Sequence, residues 1–169
     1  PMMVNNNVPE YHGTSGPNRP VFTGSNSNIT IDNIKLDGRG LGVFGFQFID
    51  AENVCIRNSY VTGARVGVDL RGVKGAYVFR VTCDNVTEDA FSLTDQNFIV
   101  TATGHRGITK DIVFEECVAI NCCSDDSNTV TSNAFEIDDG PQNIKFIRCR
   151  AENNKGAGFA MHIHSTEYD

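Results

Sequence analysis

Four carboxylates, two histidines and two arginines in this chain have the types and spacing to do acid/base chemistry on a polar substrate. In Val68-Asp-Leu-Arg71, Phe91-Ser-Leu-Thr94, Phe135-Glu-Ile-Asp138 and Phe159-Ala-Met-His162, polar residues alternate with apolar ones. As strands, these segments turn Asp69, Ser92 and Glu136 outward in one column, with Gln47 and Ala160 at its ends, and Arg71, Thr94, Asp138 and His162 outward in the next. Glu136 and Asp138 point the same way from one strand, so their repulsion can raise one pKa and supply a general acid. Asp69 and Glu136 fall two strands apart, about 9.6 Å between Cα atoms at parallel spacing. Side-chain lean then brings their carboxyls into the ~6.5–9.5 Å range that leaves room for an attacking water in inverting glycoside hydrolysis.

Two segments longer than the pattern requires, 95–110 and 122–133, adjoin these strands on either side and are expected to wall a groove floored by the outward columns. The first carries His105 and Arg106 within Gly104-His-Arg-Gly107, placed to reach over the floor as acid, base or sugar contact. The second carries Asp125-Asp126, a pair that suits either a solvated turn or a Ca²⁺ ion given further ligands.

The elements that must position these groups show themselves as a repeat. A frame recurs five times, roughly every 22 to 35 residues, beginning at Asn28, Asn53, Gly75, Asp111 and Asn143. Each copy ends in a second half: Gly45-Phe-Gln-Phe48, Gly67-Val-Asp-Leu70, Ala90-Phe-Ser-Leu93, Ala134-Phe-Glu-Ile137 or Gly158-Phe-Ala-Met161. Short period-two runs with phase breaks and no 3.6-residue stripe predict three short strands per coil and no helix. Such strands bury a face only by stacking in parallel on their copies. The core ladders are then Ile31/Ile56/Val78/Phe114/Phe146, Leu36/Val61/Cys83/Ala119/Ala151 and Phe48/Leu70/Leu93/Ile137/Met161.

Gly38, Gly63, Asn85, Asn121 and Asn153 share the corner after the second strand, and both residue types tolerate a left-handed backbone there. This column resembles the asparagine ladder of the right-handed parallel β-helix, the fold of the pectate-lyase-like superfamily, over Asn28 to the C-terminus. Leucine-rich repeats also stack asparagines, but they use a Leu-rich frame and a helical return, whereas this frame is rich in Ile, Val and Phe. The fold expected is all-β: a right-handed, single-stranded parallel β-helix of about five coils over residues 28–169, with 1–27 an irregular lead-in or partial coil. The solenoid is expected to continue beyond the chain end.

Within that superfamily, Thr87-Glu-Asp-Ala-Phe91 is similar to the Asn-Thr-Asp-Gly-Phe segment of polygalacturonase-type glycoside hydrolases, and Arg19-Pro20 to their entry into the helix. The resemblance implies that Asp89 is a catalytic carboxylate. That family places a second aspartate pair in the following coil, where this chain has Ser132-Asn133.

The net charge of −7, with no basic run interleaved with aromatics, argues against a nucleic-acid partner. No apolar run approaches the ~20 residues needed to cross a bilayer. Of the six cysteines, Cys83, Cys117 and Cys149 fall at inward positions. Cys117 and Cys149 share a frame position in successive coils, which permits a disulfide without requiring one.

The leading functional reading is a polysaccharide-active protein that binds an extended, uronate-containing glycan along the third-strand groove and cleaves or epimerises it. Asp69, Asp89, Glu136 and Asp138 are the acid/base candidates. Arg71, Ser92, Thr94, His105, Arg106 and His162 are the substrate contacts. A hydrolase needs no metal; a lyase or epimerase would use Ca²⁺. The alternative is a non-catalytic structural or adhesion module, such as a phage tailspike or surface-fibre segment, whose open ends are continued by flanking domains or by copies of itself. Both readings place the protein outside the cell, as a secreted, cell-surface or virion-associated chain.

Overall fold

The computed structural model describes residues 22–23, 27–94, 108–124 and 132–162. A two-residue strand, β1 (Phe22–Thr23), precedes the first coil, which holds β2 (Ile29–Asp32), β3 (Lys35–Asp37) and β4 (Phe44–Ile49). The second coil holds β5 (Glu52–Arg57), β6 (Tyr60–Thr62) and β7 (Val66–Arg71). The third holds β8 (Lys74–Phe79), β9 (Thr82–Asp84) and β10 (Phe91–Thr94), and the fourth β11 (Lys110–Glu115), β12 (Val118–Ile120) and β13 (Phe135–Asp138). The fifth holds β14 (Gln142–Ile147), β15 (Arg150–Glu152) and β16 (Phe159–His162).

Each strand pairs in parallel with its copy one coil away, which produces three sheets: β2-β5-β8-β11-β14, β3-β6-β9-β12-β15 and β1-β4-β7-β10-β13-β16. The three expected core ladders are the observed registers, for example Ile56↔Val78, Val61↔Cys83 and Leu70↔Leu93. The lead-in contributes β1, whose Phe22 pairs with Phe48 below the first full coil.

Large rings fill the upper part of the core. Phe91, Phe135 and Phe159 stack face to face at centroid spacings of 4.7 and 4.6 Å, and Phe114 stacks on Phe146 at 5.2 Å. The two columns meet edge to face, as between Phe114 and Phe135, so each ring's quadrupole is used on two sides. In the last coil the ladder loses its cover. Phe159 is 52% and Met161 70% exposed, so Met161 keeps its ladder position without being buried as a core residue.

The corners explain how such short strands turn. Left-handed residues recur not in one column but in several. Asn28, Asn53, Gly75, Asp111 and Asn143 introduce the first strands, and Asn33, Asn58, Arg80, Glu116 and Arg148 follow them. Gly63, Asn85, Asn121 and Asn153 follow the second strands. Side-chain amides link the coils where the residues allow it, as in Asn53 Nδ2 to Asn28 Oδ1 (3.1 Å) and Asn153 Nδ2 to Asn121 Oδ1 (2.6 Å).

The expected ladder needs two corrections. Gly38 does not adopt the left-handed conformation; the turn passes to Arg39 and Gly40, and Gly38 is required because an added Cβ would meet the Gly63 carbonyl oxygen at 2.6 Å. Asn121 donates not to Asn85 but to Asp84 Oδ1, at 3.0 Å. Where the left-handed position after the first strand carries charge, an ion-pair ladder replaces the amides. Glu116 accepts from Arg80 at 2.7 Å and from Arg148 at 2.9 Å.

Candidate active site

The third sheet carries the titratable row. Its registers are Gln47↔Asp69↔Ser92↔Glu136↔Ala160 and Ile49↔Arg71↔Thr94↔Asp138↔His162, the two columns expected from alternation. Gln47, Asp69, Ser92 and Glu136 are buried, whereas Arg71, Thr94, Asp138 and His162 in the next column are half-buried. Charges removed from water require compensation by neighbours, and here they find it within the row.

Asp69 is fully buried and accepts from Arg71 Nε at 2.9 Å on both oxygens, and from Gln47 Nε2 at 2.6 Å. These contacts occupy the carboxylate as an anchor that orients Arg71, whose guanidinium also lies 5.8 Å from the Phe44 ring centre. Asp69 and Glu136 lie two coils apart in the register, with Ser92 on β10 between them, and the carboxyl in contact with Glu136 is Asp89.

Asp89 sits at the corner leading into β10, just outside the alternating run. Its Oδ1 accepts the backbone N–H of Asn133 at 2.8 Å, and its carboxyl is hydrogen-bonded to that of Glu136. Two carboxyls can share such a bond only if one carries a proton. Burial, then the hydrogen bond to Glu136 and its charge, push Asp89 up to about 10, so Asp89 is the protonated partner at neutral pH. Glu136 is also held on its other side. Asn133 Nδ2 donates to Oε2 at 3.1 Å, and His162 Nδ1 lies 2.8 Å from Oε1 and 3.7 Å from Asp138 Oδ1.

Asn133 was not legible as a site residue, yet it joins three coils. Its backbone N–H goes to Asp89, its amide nitrogen to Glu136, and its Oδ1 accepts from the Ala157 N–H at 3.1 Å. The available signal was its position: Ala90 N donates to Asn133 O, which places Asn133 directly above Asp89. At the same corner, Glu88 pairs with Arg65 at 2.6 Å.

Asp89, Glu136, Asp138 and His162 thus form one cluster, and Asp69 with Arg71 a second, with Ser92 and Thr94 between them. His105, Arg106 and the Asp125-Asp126 pair lie outside the described residues. Glu136, Asp138 and His162 each present a potential ligand atom within 4.8 Å of the others. His162 Nδ1 faces Glu136 Oε1 at 2.8 Å, a hydrogen-bonding arrangement, and the same three groups are the ones that would hold a cation. The six cysteines of the chain are free thiols.

Stacked coils of three short parallel strands, with a titratable row on one sheet, define the class: a parallel β-helix. A family model described as a right handed beta helix region matches residues 10–169, and the chain belongs to that family. No curated protein and no solved structure matches it. No helix among the described residues is long and apolar enough to cross a membrane.

Proposed function

We propose that the outward row of the third sheet is the acid/base site of a polysaccharide-active enzyme, which binds an extended, uronate-containing glycan across the coils and cleaves or epimerises it. The observation that carries this reading is the Asp89–Glu136 pair, a buried carboxyl that keeps its proton at neutral pH beside a second carboxyl contacted by Asn133 and His162. A proton donor and an acceptor in contact are the minimum equipment for moving a proton to a leaving oxygen and taking one from water or from a sugar carbon.

Asp89 serves as the general acid and Glu136 as the base. His162, with 34% of its side chain exposed, relays between Glu136 and the substrate. Arg71, oriented by Asp69, supplies a cation for a uronate carboxylate, and Thr94, Asp138 and Ser92 lie beside it for hydroxyl contacts. A hydrolytic version of this chemistry requires no metal, whereas a lyase or epimerase version would add Ca²⁺ to neutralise the uronate. Glycans of this kind are met outside the cell, on a surface or at a virion.

The test is a screen of wild type and Glu136→Gln against polygalacturonate, alginate, neutral glycans and capsular polysaccharide, with and without Ca²⁺. New reducing ends, the ultraviolet absorbance of unsaturated uronate and sugar configuration are followed together. Turnover by wild type and a loss of about 10²-fold or more in the variant are expected. Turnover untouched by Glu136→Gln, or neither turnover nor binding on any polymer, would overturn the reading and leave the non-catalytic shaft or adhesion module.

A further inference from the structure

Two free thiols stack at the corner between the first and second strands, away from the titratable row of the third sheet. The inward position there is filled by Ile34, Ser59, Val81, Cys117 and Cys149 in successive coils, each directly after the left-handed residue that makes the bend. Backbone bonds fix the column: Val118 N donates to Val81 O and Arg150 N to Cys117 O, both at 2.9 Å.

The two thiols repeat each other's setting one coil apart. Cys117 Sγ lies 3.3 Å from Val78 O and 3.5 Å from Glu115 O, and Cys149 Sγ lies 3.5 Å from Phe114 O and 3.6 Å from Ile147 O. Residues stacked at the parallel-strand spacing of about 4.8 Å fall inside the Cα range that a disulfide spans. The thiols also differ in access, since Cys117 is buried and Cys149 half-buried.

We propose that Cys149 and Cys117 form a peroxide-reactive dithiol, with Cys149 as the attacking sulfur and Cys117 as the resolving one. The Cys149 thiolate attacks the outer oxygen of a hydroperoxide, the O–O bond breaks, and the alkoxide or hydroxide leaves and takes a proton from water. The product is a sulfenic acid on Cys149. Cys117 then gives up its proton and attacks the Cys149 sulfur, the S–O bond breaks, water leaves, and the S–S bond clips the fourth coil to the fifth. Two electrons pass from the two sulfurs to the peroxide.

The electrostatics agree with this division of roles. The hydrogen bond from Cys117 lowers the Cys149 thiol to about 7 against the opposing effects of burial and the Glu115 charge. The same bond, with burial, raises Cys117. Arg148 and Arg150 flank Cys149 in sequence and are tied to acids, Arg148 to Glu115 and Glu116 and Arg150 to Glu152. Cys83, lying near Cys117, is fully buried and raised by desolvation, so it does not compete as the attacking sulfur.

The experiment treats reduced wild-type protein with substoichiometric hydrogen peroxide and maps the products by non-reducing peptide mass spectrometry. Iodoacetamide labelling rates are measured across pH in parallel. A Cys117–Cys149 cross-linked peptide is expected as the first product. Cys149 should label about tenfold faster than Cys55 at pH 7, with a midpoint near that pH. Cys117→Ser should stop at a sulfenic acid trapped on Cys149. Oxidation that begins at another cysteine, or wild-type Cys149 passing to sulfinic acid without closing on Cys117, would overturn the proposal. The wild-type map decides the matter even if the serine variant fails to fold.

Discussion

Asp89→Asn separates a proton held by the fold from one that merely decorates the surface. In the native state Asp89 donates to Glu136 and accepts from the Asn133 N–H, and an asparagine can do the same through its amide NH2 and carbonyl oxygen without a titratable proton. An ordinary aspartate loses its proton near 3.9, whereas native Asp89 keeps it to about 10, so between those values the unfolded chain binds one proton fewer than the folded one. Stability supplied by Asp89 is then complete below pH 4 and falls as pH rises, by about 1.4 kcal/mol per pH unit. Because Asp89 titrates together with Glu136, the measured difference belongs to the pair rather than to either carboxyl alone. Wild type and Asp89→Asn should be of similar stability at pH 5, with the variant gaining up to about 4 kcal/mol by pH 8. Urea unfolding midpoints at successive pH values measure this directly. A stability difference that stays flat from pH 5 to pH 8 would refute the shared proton and remove the general acid from the proposed chemistry.

Three further outcomes are expected from the same kind of titration. Asp69→Asn removes a fully buried carboxylate charge that Arg71 pairs with at 2.9 Å and should destabilise by about 3 kcal/mol, read from urea unfolding midpoints; no change would refute the ion pair. Asn133→Ala removes both the donor to Glu136 and the acceptor for Ala157 N–H, costing about 1–3 kcal/mol and flattening the pH dependence that distinguishes Asp89→Asn. At Gly67 a Cβ would collide with Cys83 Sγ and the Ala90 carbonyl oxygen, so Gly67→Val should cost about 1–3 kcal/mol or more by overpacking, read as a lowered thermal midpoint.

The coil was readable because its code is short. Period-two alternation fixes which side chains face inward, and one residue of slippage would turn Asp69 and Glu136 into the core, so the third-sheet columns follow once the frame is aligned. The corners were only half readable. Asn and Gly announce a left-handed residue, but Arg80, Glu116 and Arg148 adopt it without the local hydrogen-bonding that makes Asn tolerant, held there by the stack above and below. The pairing of Asp89 with Glu136 was hidden for a different reason. Asp89 stands one residue outside the alternating run, so its direction depends on the bend rather than on the pleat. Asn133 read as a missing aspartate, although an amide at that position can donate to Glu136 while its backbone N–H serves Asp89.

The Asn133 bridge also bears on how such a molecule changes over evolutionary time. Each coil lends the row one or two side chains, so the constellation is written along the stacking axis rather than in any single loop. A whole coil inserted between Asp89 and Asn133 would part the carboxyls of Asp89 and Glu136 by about 4.8 Å. The contacts between Asp89, Asn133 and Glu136 would then be lost. Coil number outside this row is free to drift, while the junctions from the second coil to the fifth are the seams at which length and chemistry are the same variable.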